Sequence, residues 1–336
     1  MVGTEGAEES AGAEKSADVP RTTPEAGGAW AGRELSPAVV LLSGAVGGIS
    51  LAVGGLLAGT SLLGYRAGAW VSPEALSPGL VGAAMLGVAP ALFTVGRARL
   101  WEEVRSLTLP LVTVLVGLFA VSLLNAGSLQ AFRGGPIFLA LFSLGWVATL
   151  GALALAAVGC LVAQYRRPVR PGRPGGPAAG GETGITQAGP GAGDAPRPRP
   201  VAPLPGWSKP PLAVLGSGWL GIGAGLLAFP AFWGPLVPWT VNRADAQGLG
   251  VWALSLGVGV LASLAEDDLG RTRPALRAVP AVALASGLVL AVHAGSVDWA
   301  SGPGVSLVAL VLGLLTTGVS GHLLLSRAAR RSAAGR

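Results

Sequence analysis

Residues 137–163 read IFLALFSLGWVATLGALALAAVGCLVA, an apolar run without one charged side chain. A helix rises about 1.5 Å per residue and the hydrocarbon core of a bilayer is roughly 30 Å thick, so the run is long enough to cross. In lipid every backbone N–H and C=O must be bonded within the segment, which leaves helix as the conformation open to a lone apolar run. The stretch predicts a membrane-spanning helix.

The next stretch is different in kind. Residues 166–209 (RRPVRPGRPGGPAAGGETGITQAGPGAGDAPRPRPVAPLPGWSK) carry Arg166, Arg167, Arg170, Arg173, Arg197, Arg199 and Lys209 among many prolines and glycines. With almost no large apolar side chain, they bury too little surface to offset chain entropy. They are expected to form a disordered, basic linker.

Apolar runs like the first recur on both sides. Before the linker they lie at 38–63, 80–95, 107–124 and 137–163, and after it at 212–232, 249–265, 275–293 and 305–325. The second carries Pro90 near its middle, which a kinked or tilted helix accommodates when neighbours satisfy the freed carbonyl. The composition agrees: 51% of residues are hydrophobic, only 12% are charged and mean hydropathy is +0.60, against about one quarter charged in soluble domains. The expected fold is an all-α polytopic transmembrane bundle. It divides into an acidic disordered tail (1–34), a first four-helix unit (35–165), the linker (166–209), a second four-helix unit (210–326) and a basic tail (327–336).

Orientation follows from lysine and arginine, which favour the cytoplasmic side. Of the 23, only Arg66, Arg133 and Arg243 fall opposite the termini and linker. Both termini and the linker are therefore expected in the cytoplasm, at a bacterial plasma membrane, and the acidic start, which lacks the features of a secretory signal, is expected to be a retained tail. The net charge of +6 sits in loops beside apolar spans rather than on a folded surface with stacking aromatics, so it points to anionic lipid headgroups and not to nucleic acid.

The halves also resemble each other at an offset of 168 positions. Ala126, Gly127 and Ser128 match Ala294, Gly295 and Ser296, Arg105 matches Arg273, and Gly82, Gly134 and Gly145 match Gly250, Gly302 and Gly313. Four spans per half give both copies one orientation, the pattern of a parallel repeat.

Chemistry-bearing residues are few. Glu266, Asp267, Asp268, Arg271 and Arg273 cluster between spans six and seven; their spacing suits charge pairing at a helix end, with ligand binding as the alternative. Asn125 and His293 occupy matching positions at the ends of spans three and seven, where capping competes with a pathway role. Trp70, Trp233, Trp239 and Trp299 fit an interfacial belt, or else an aromatic lip over a cavity whose acids are Glu74, Asp245 and Asp298. Pairs at Gly44 and Gly48, Gly55 and Gly59, and Gly221 and Gly225 have the small-xxx-small spacing of close helix contacts, and leave room for a homodimer or a membrane-protein partner. The single cysteine, Cys160, lies in an apolar span as a small hydrophobe. The sequence holds no phosphate-binding loop, HExxH pair or nucleophile elbow, so no catalytic, cofactor or metal set is expected.

One resemblance adds to this. The residues Phe229, Pro230, Trp233, Pro238, Trp239 and Thr240, then Gly250, Trp252, Leu256 and Gly257, then Glu266, Asp268, Leu269, Arg271, Arg273 and Pro274, then Asp298 and Trp299 resemble a group of uncharacterised multi-pass membrane proteins of high-GC Gram-positive bacteria. The resemblance covers about 219–325 and implies topology; the first half lacks the Pro-Trp loop and the Asp-Trp pair. Three functions are expected in descending order: a non-enzymatic scaffold or regulator of envelope components, a permease for a neutral or lipid-like molecule, and a membrane enzyme using the far-side acids.

Overall fold

Each apolar run closes its backbone hydrogen bonds on itself, because lipid offers no other partner. The computed structural model describes residues 32–134, 136–169 and 203–334. In it the first four runs form α1 (Pro37–Leu62), α2 (Leu76–Phe93), α3 (Arg105–Leu124) and α4 (Ile137–Tyr165). The later runs form α5 (Lys209–Ala228), the one-turn α6 (Pro230–Trp233), α7 (Arg243–Glu266), α8 (Arg273–Val292) and α9 (Gly302–Ala334). Among the described residues eight helices are long and apolar enough to cross a membrane. The chain is an integral, multi-pass membrane protein of the all-α class.

Several boundaries differ from the sequence reading, each for a local reason. α5 stops at Ala228 because Phe229 leaves the helical region ahead of Pro230. α7 begins at Arg243 rather than at 249: Asn242 caps it by accepting the Asp245 N–H at 2.8 Å, and its polar first turns are buried. It ends on Asp267 in the left-handed region at φ 48°. α9 continues to Ala334, so the basic stretch from Arg327 prolongs the last helix. Residues 206–208 are a helical turn leading into α5 at Lys209. The expectations for 1–31 and 170–202 lie outside the described residues.

In each half the first two long helices lie along one another, α1 on α2 and α5 on α7, and the last two pair as α3 on α4 and α8 on α9. The halves meet through α2 on α8 and α3 on α7. Helices approach closely only where side chains are small. A Cβ on Gly54 of α1 would come within 2.8 Å of Met85 and 2.9 Å of the Gly82 carbonyl, and one on Gly223 of α5 would run into the α7 backbone at Leu254 and Gly250. Gly47 and Gly216, one heptad earlier, face Leu92 and Phe93 of α2 and Val260 and Leu261 of α7. The small-residue pairs singled out in the sequence do not make these crossings. Gly44, Gly48, Gly59 and Gly221 have nothing within 4 Å, Gly55 only grazes Leu86, and Gly225 holds the Trp233 ring.

Candidate functional site

Two polar joints tie the halves together, one at each end of α7. At the far face, opposite the linker, Asp245 is 2% exposed. Its Oδ1 accepts the Trp70 indole N–H at 2.8 Å and the Ser72 hydroxyl at 2.7 Å, while the Asn242 amide donates to the Val71 carbonyl at 2.6 Å. Asp245 Oδ2 has no partner among the described residues, and Asp245 borders, with Trp70 and Ser77, a void of about 20 Å³, room for one water molecule. Nearby, Asn125 at the end of α3 donates to Gln247 Oε1 at 2.7 Å, and Gln247 donates to the Leu227 carbonyl at 3.0 Å. His293 at the end of α8 reaches the Ser61 carbonyl of α1 at 2.9 Å through Nε2. A carbonyl only accepts, so that bond puts a hydrogen on Nε2. Asn125 and His293 thus terminate α3 and α8, and both also bridge to the opposite half.

At the linker face Glu266, its side chain 3% exposed, meets Arg105 of α3 at 2.5 Å and Arg271 at 3.4 Å. Arg271 also lies 3.7 Å from Asp268. Asp267 turns the other way: it accepts from Lys209 Nζ at 2.6 Å and from the Leu204 N–H at 3.2 Å, fastening the start of α5. The Lys209 hydrogen bond is the main reason its carboxyl is held below the usual carboxylate range. Arg273 is exposed and forms no ion pair among the described residues. The loop is a joint built from charge pairs, and among the described residues no three histidine, cysteine or acidic side chains converge as a metal site.

The space inside the bundle is apolar and unequally shared. In the first half α1, α2, α3 and α4 enclose about 300 Å³, bounded by residues such as Ser50, Val53, Leu115 and Trp146, and Trp252 of α7 projects into it from across the interface. The second half lines about 480 Å³ between α5, α7, α8 and α9, and there the residues contributed from α2 are Leu80 and Ala84. Toward the linker face this larger cavity adjoins a third of about 780 Å³, sharing Trp252, Leu256, Val282 and Leu310. Toward the far face it adjoins a groove of about 920 Å³, sharing Val237, Pro238, Trp239 and Pro303. The three spaces form a series from one face of the second half to the other. α5 and α9 both border the two inner cavities; their backbones come close at few positions, and side chains such as Leu215 against Gly313 make the contact. The indole N–H groups of Trp219 and Trp252 are buried in these walls without an acceptor among the described residues.

The tryptophans accordingly divide into two kinds. Trp70 and Trp239 are 5% and 9% exposed, and their N–H groups bind Asp245 and Ser77, so they are internal rather than part of a lipid belt. Trp233 and Trp239 line the larger cavity, as the aromatic-lip reading has it. The three far-side acids do not converge: Asp245 borders the small void, Asp298 the groove, and Glu74 neither. The cavities were not legible in the sequence, because their walls are ordinary apolar residues whose helices meet across the two halves. Compared with known proteins, the chain matches no family model, no curated protein and no solved structure.

Proposed function

We propose that the protein is a non-enzymatic permease-like protein that takes a lipid-like molecule along its second half. The observation that carries this reading is the series of two apolar cavities and the far-face groove through the second half. Cavities with apolar walls inside a membrane-spanning bundle suit a molecule that is already dissolved in the bilayer, and the size of each lies in the range of small-molecule sites. The scaffold reading rests on the segments at 1–31 and 170–202. The enzyme reading needs acids that share a cavity, which Glu74, Asp245 and Asp298 do not.

We also infer a duplicated four-helix unit set in the plasma membrane with termini and linker in the cytoplasm. The helix pairing, the heptad-spaced glycines and the charge bias support it. On this view Ala84 and Trp252 are counterparts, and the small residue leaves the second chamber larger.

The test copies into the second half what Trp252 does in the first. Purified full-length protein in liposomes should speed transfer of a labelled lipid between leaflets, and Ala84→Trp or, from the opposite wall, Ile222→Trp should abolish the gain. Wild-type liposomes no faster than protein-free ones, or both plugged variants as active as wild type, would remove the reading.

A further inference from the structure

The groove at the far face carries one feature the apolar cavities lack, a pair of opposite charges. Arg243, the first residue of α7, and Asp298, in the turn before α9, both line it and both are exposed. They form no ion pair with each other or with any other described residue. Asp298 is held in place by its backbone, whose N–H donates to the Pro238 carbonyl at 2.8 Å. That bond ties the turn to the wall that the groove shares with the apolar cavity through Pro238 and Trp239.

Resting on the permease reading, we propose that the groove receives the headgroup of a zwitterionic membrane lipid while its chains enter the apolar cavity. The guanidinium of Arg243 takes the phosphate, where its planar fork matches two oxygens. The carboxylate of Asp298 takes the ammonium. A headgroup with only negative charge meets Asp298 unfavourably and one with only positive charge meets Arg243, so the groove discriminates by repulsion as much as by attraction. At about 920 Å³ it has space for both groups of the head at once.

Native mass spectrometry of the full-length protein tests this, using an equal mixture of phosphatidylethanolamine, phosphatidylglycerol and a cationic lipid with identical chains. Exposed pairs contribute modestly, so retention should favour the zwitterion by on the order of threefold to tenfold. Asp298→Asn should shift preference to the anionic lipid and Arg243→Gln to the cationic one. The double exchange Arg243→Asp with Asp298→Arg should restore the zwitterion. Equal retention of all three lipids, with Ala84→Trp still displacing them, overturns the headgroup assignment and leaves the permease reading standing. Retention that Ala84→Trp and Ile222→Trp both leave unchanged overturns the two together.

Discussion

Trp252 of α7 and Ala84 of α2 stand 168 positions apart in the chain, and each projects into the cavity of the half it does not belong to. Trp252 brings an indole to the first-half cavity, whereas Ala84 brings a methyl group, beside Leu80, to the second. It also borders the two inner cavities on the second-half side, together with Leu256, Val282 and Leu310.

Trp252→Ala should therefore do two things at once. It should cost about 3–5 kcal/mol of stability, as loss of a buried aromatic does, and it should open the first-half cavity to an apolar occupant. Thermal unfolding in detergent reads the first effect, and the number of lipids retained per chain reads the second, rising above that of wild type.

Glu266 should behave as a shared hinge pin between the halves. Glu266→Gln removes the charge facing Arg105 and Arg271 and should lower stability by about 1.5–3 kcal/mol, the range for hydrogen bonds to charged groups. A double-mutant cycle with Arg105→Gln should show coupling between α3 and α7, measured as a non-additive shift in unfolding temperature.

Asp245→Ala strips the acceptor from the Trp70 indole and the Ser72 hydroxyl inside the far-face joint. Each orphaned donor costs about 1–3 kcal/mol. Asp245→Asn keeps an acceptor oxygen and should recover most of the loss, which unfolding midpoints of the two variants will show.

The contact of Asp267 with Lys209 and Leu204 should fail in acid. A carboxyl with a lowered folded pKa contributes above its unfolded value, 3.8, and loses that contribution as pH falls through the lower folded value. The protection of the Leu204 amide, measured against its intrinsic exchange rate at each pH, should fall below that pH. Asp267→Asn, which tolerates the left-handed backbone, should show the reduced protection already at neutral pH.

Gly223→Val should prevent α5 from packing on α7, whereas Gly221→Val, which adds a side chain into open space, should fold normally. Expression and monodispersity in detergent separate the two. Packing and not mere glycine content is what the comparison reads.

The spans were legible because uninterrupted apolar runs need no partner to declare themselves. Partners decided everything that was not. Asp245 and Gln247 look like loop residues until Trp70, Ser72 and Asn125 are found against them, more than a hundred positions earlier in the chain. Trp70 and Trp239 sit at span ends as belt residues do, and only their bonds to Asp245 and Ser77 show them to be internal. The interface glycines had a readable signal in the heptad spacing of Gly47 with Gly54 and of Gly216 with Gly223, but glycine is so frequent in these spans that four-residue pairs on outward faces mask it. Of the charged loop, the pairing of Glu266 with Arg271 was readable from spacing, while its bond to Arg105 was not.

The seam between α5 and α9 is closed by side chains such as Leu215 against Gly313 rather than by close backbone packing. Side chains that face lipid yield to it, so the room behind them should depend on how tightly the surrounding acyl tails are pressed together. Thickness and lateral pressure of the bilayer become variables of the protein's own interior, so the same chain should admit less in a stiff, crowded leaflet than in a loose one.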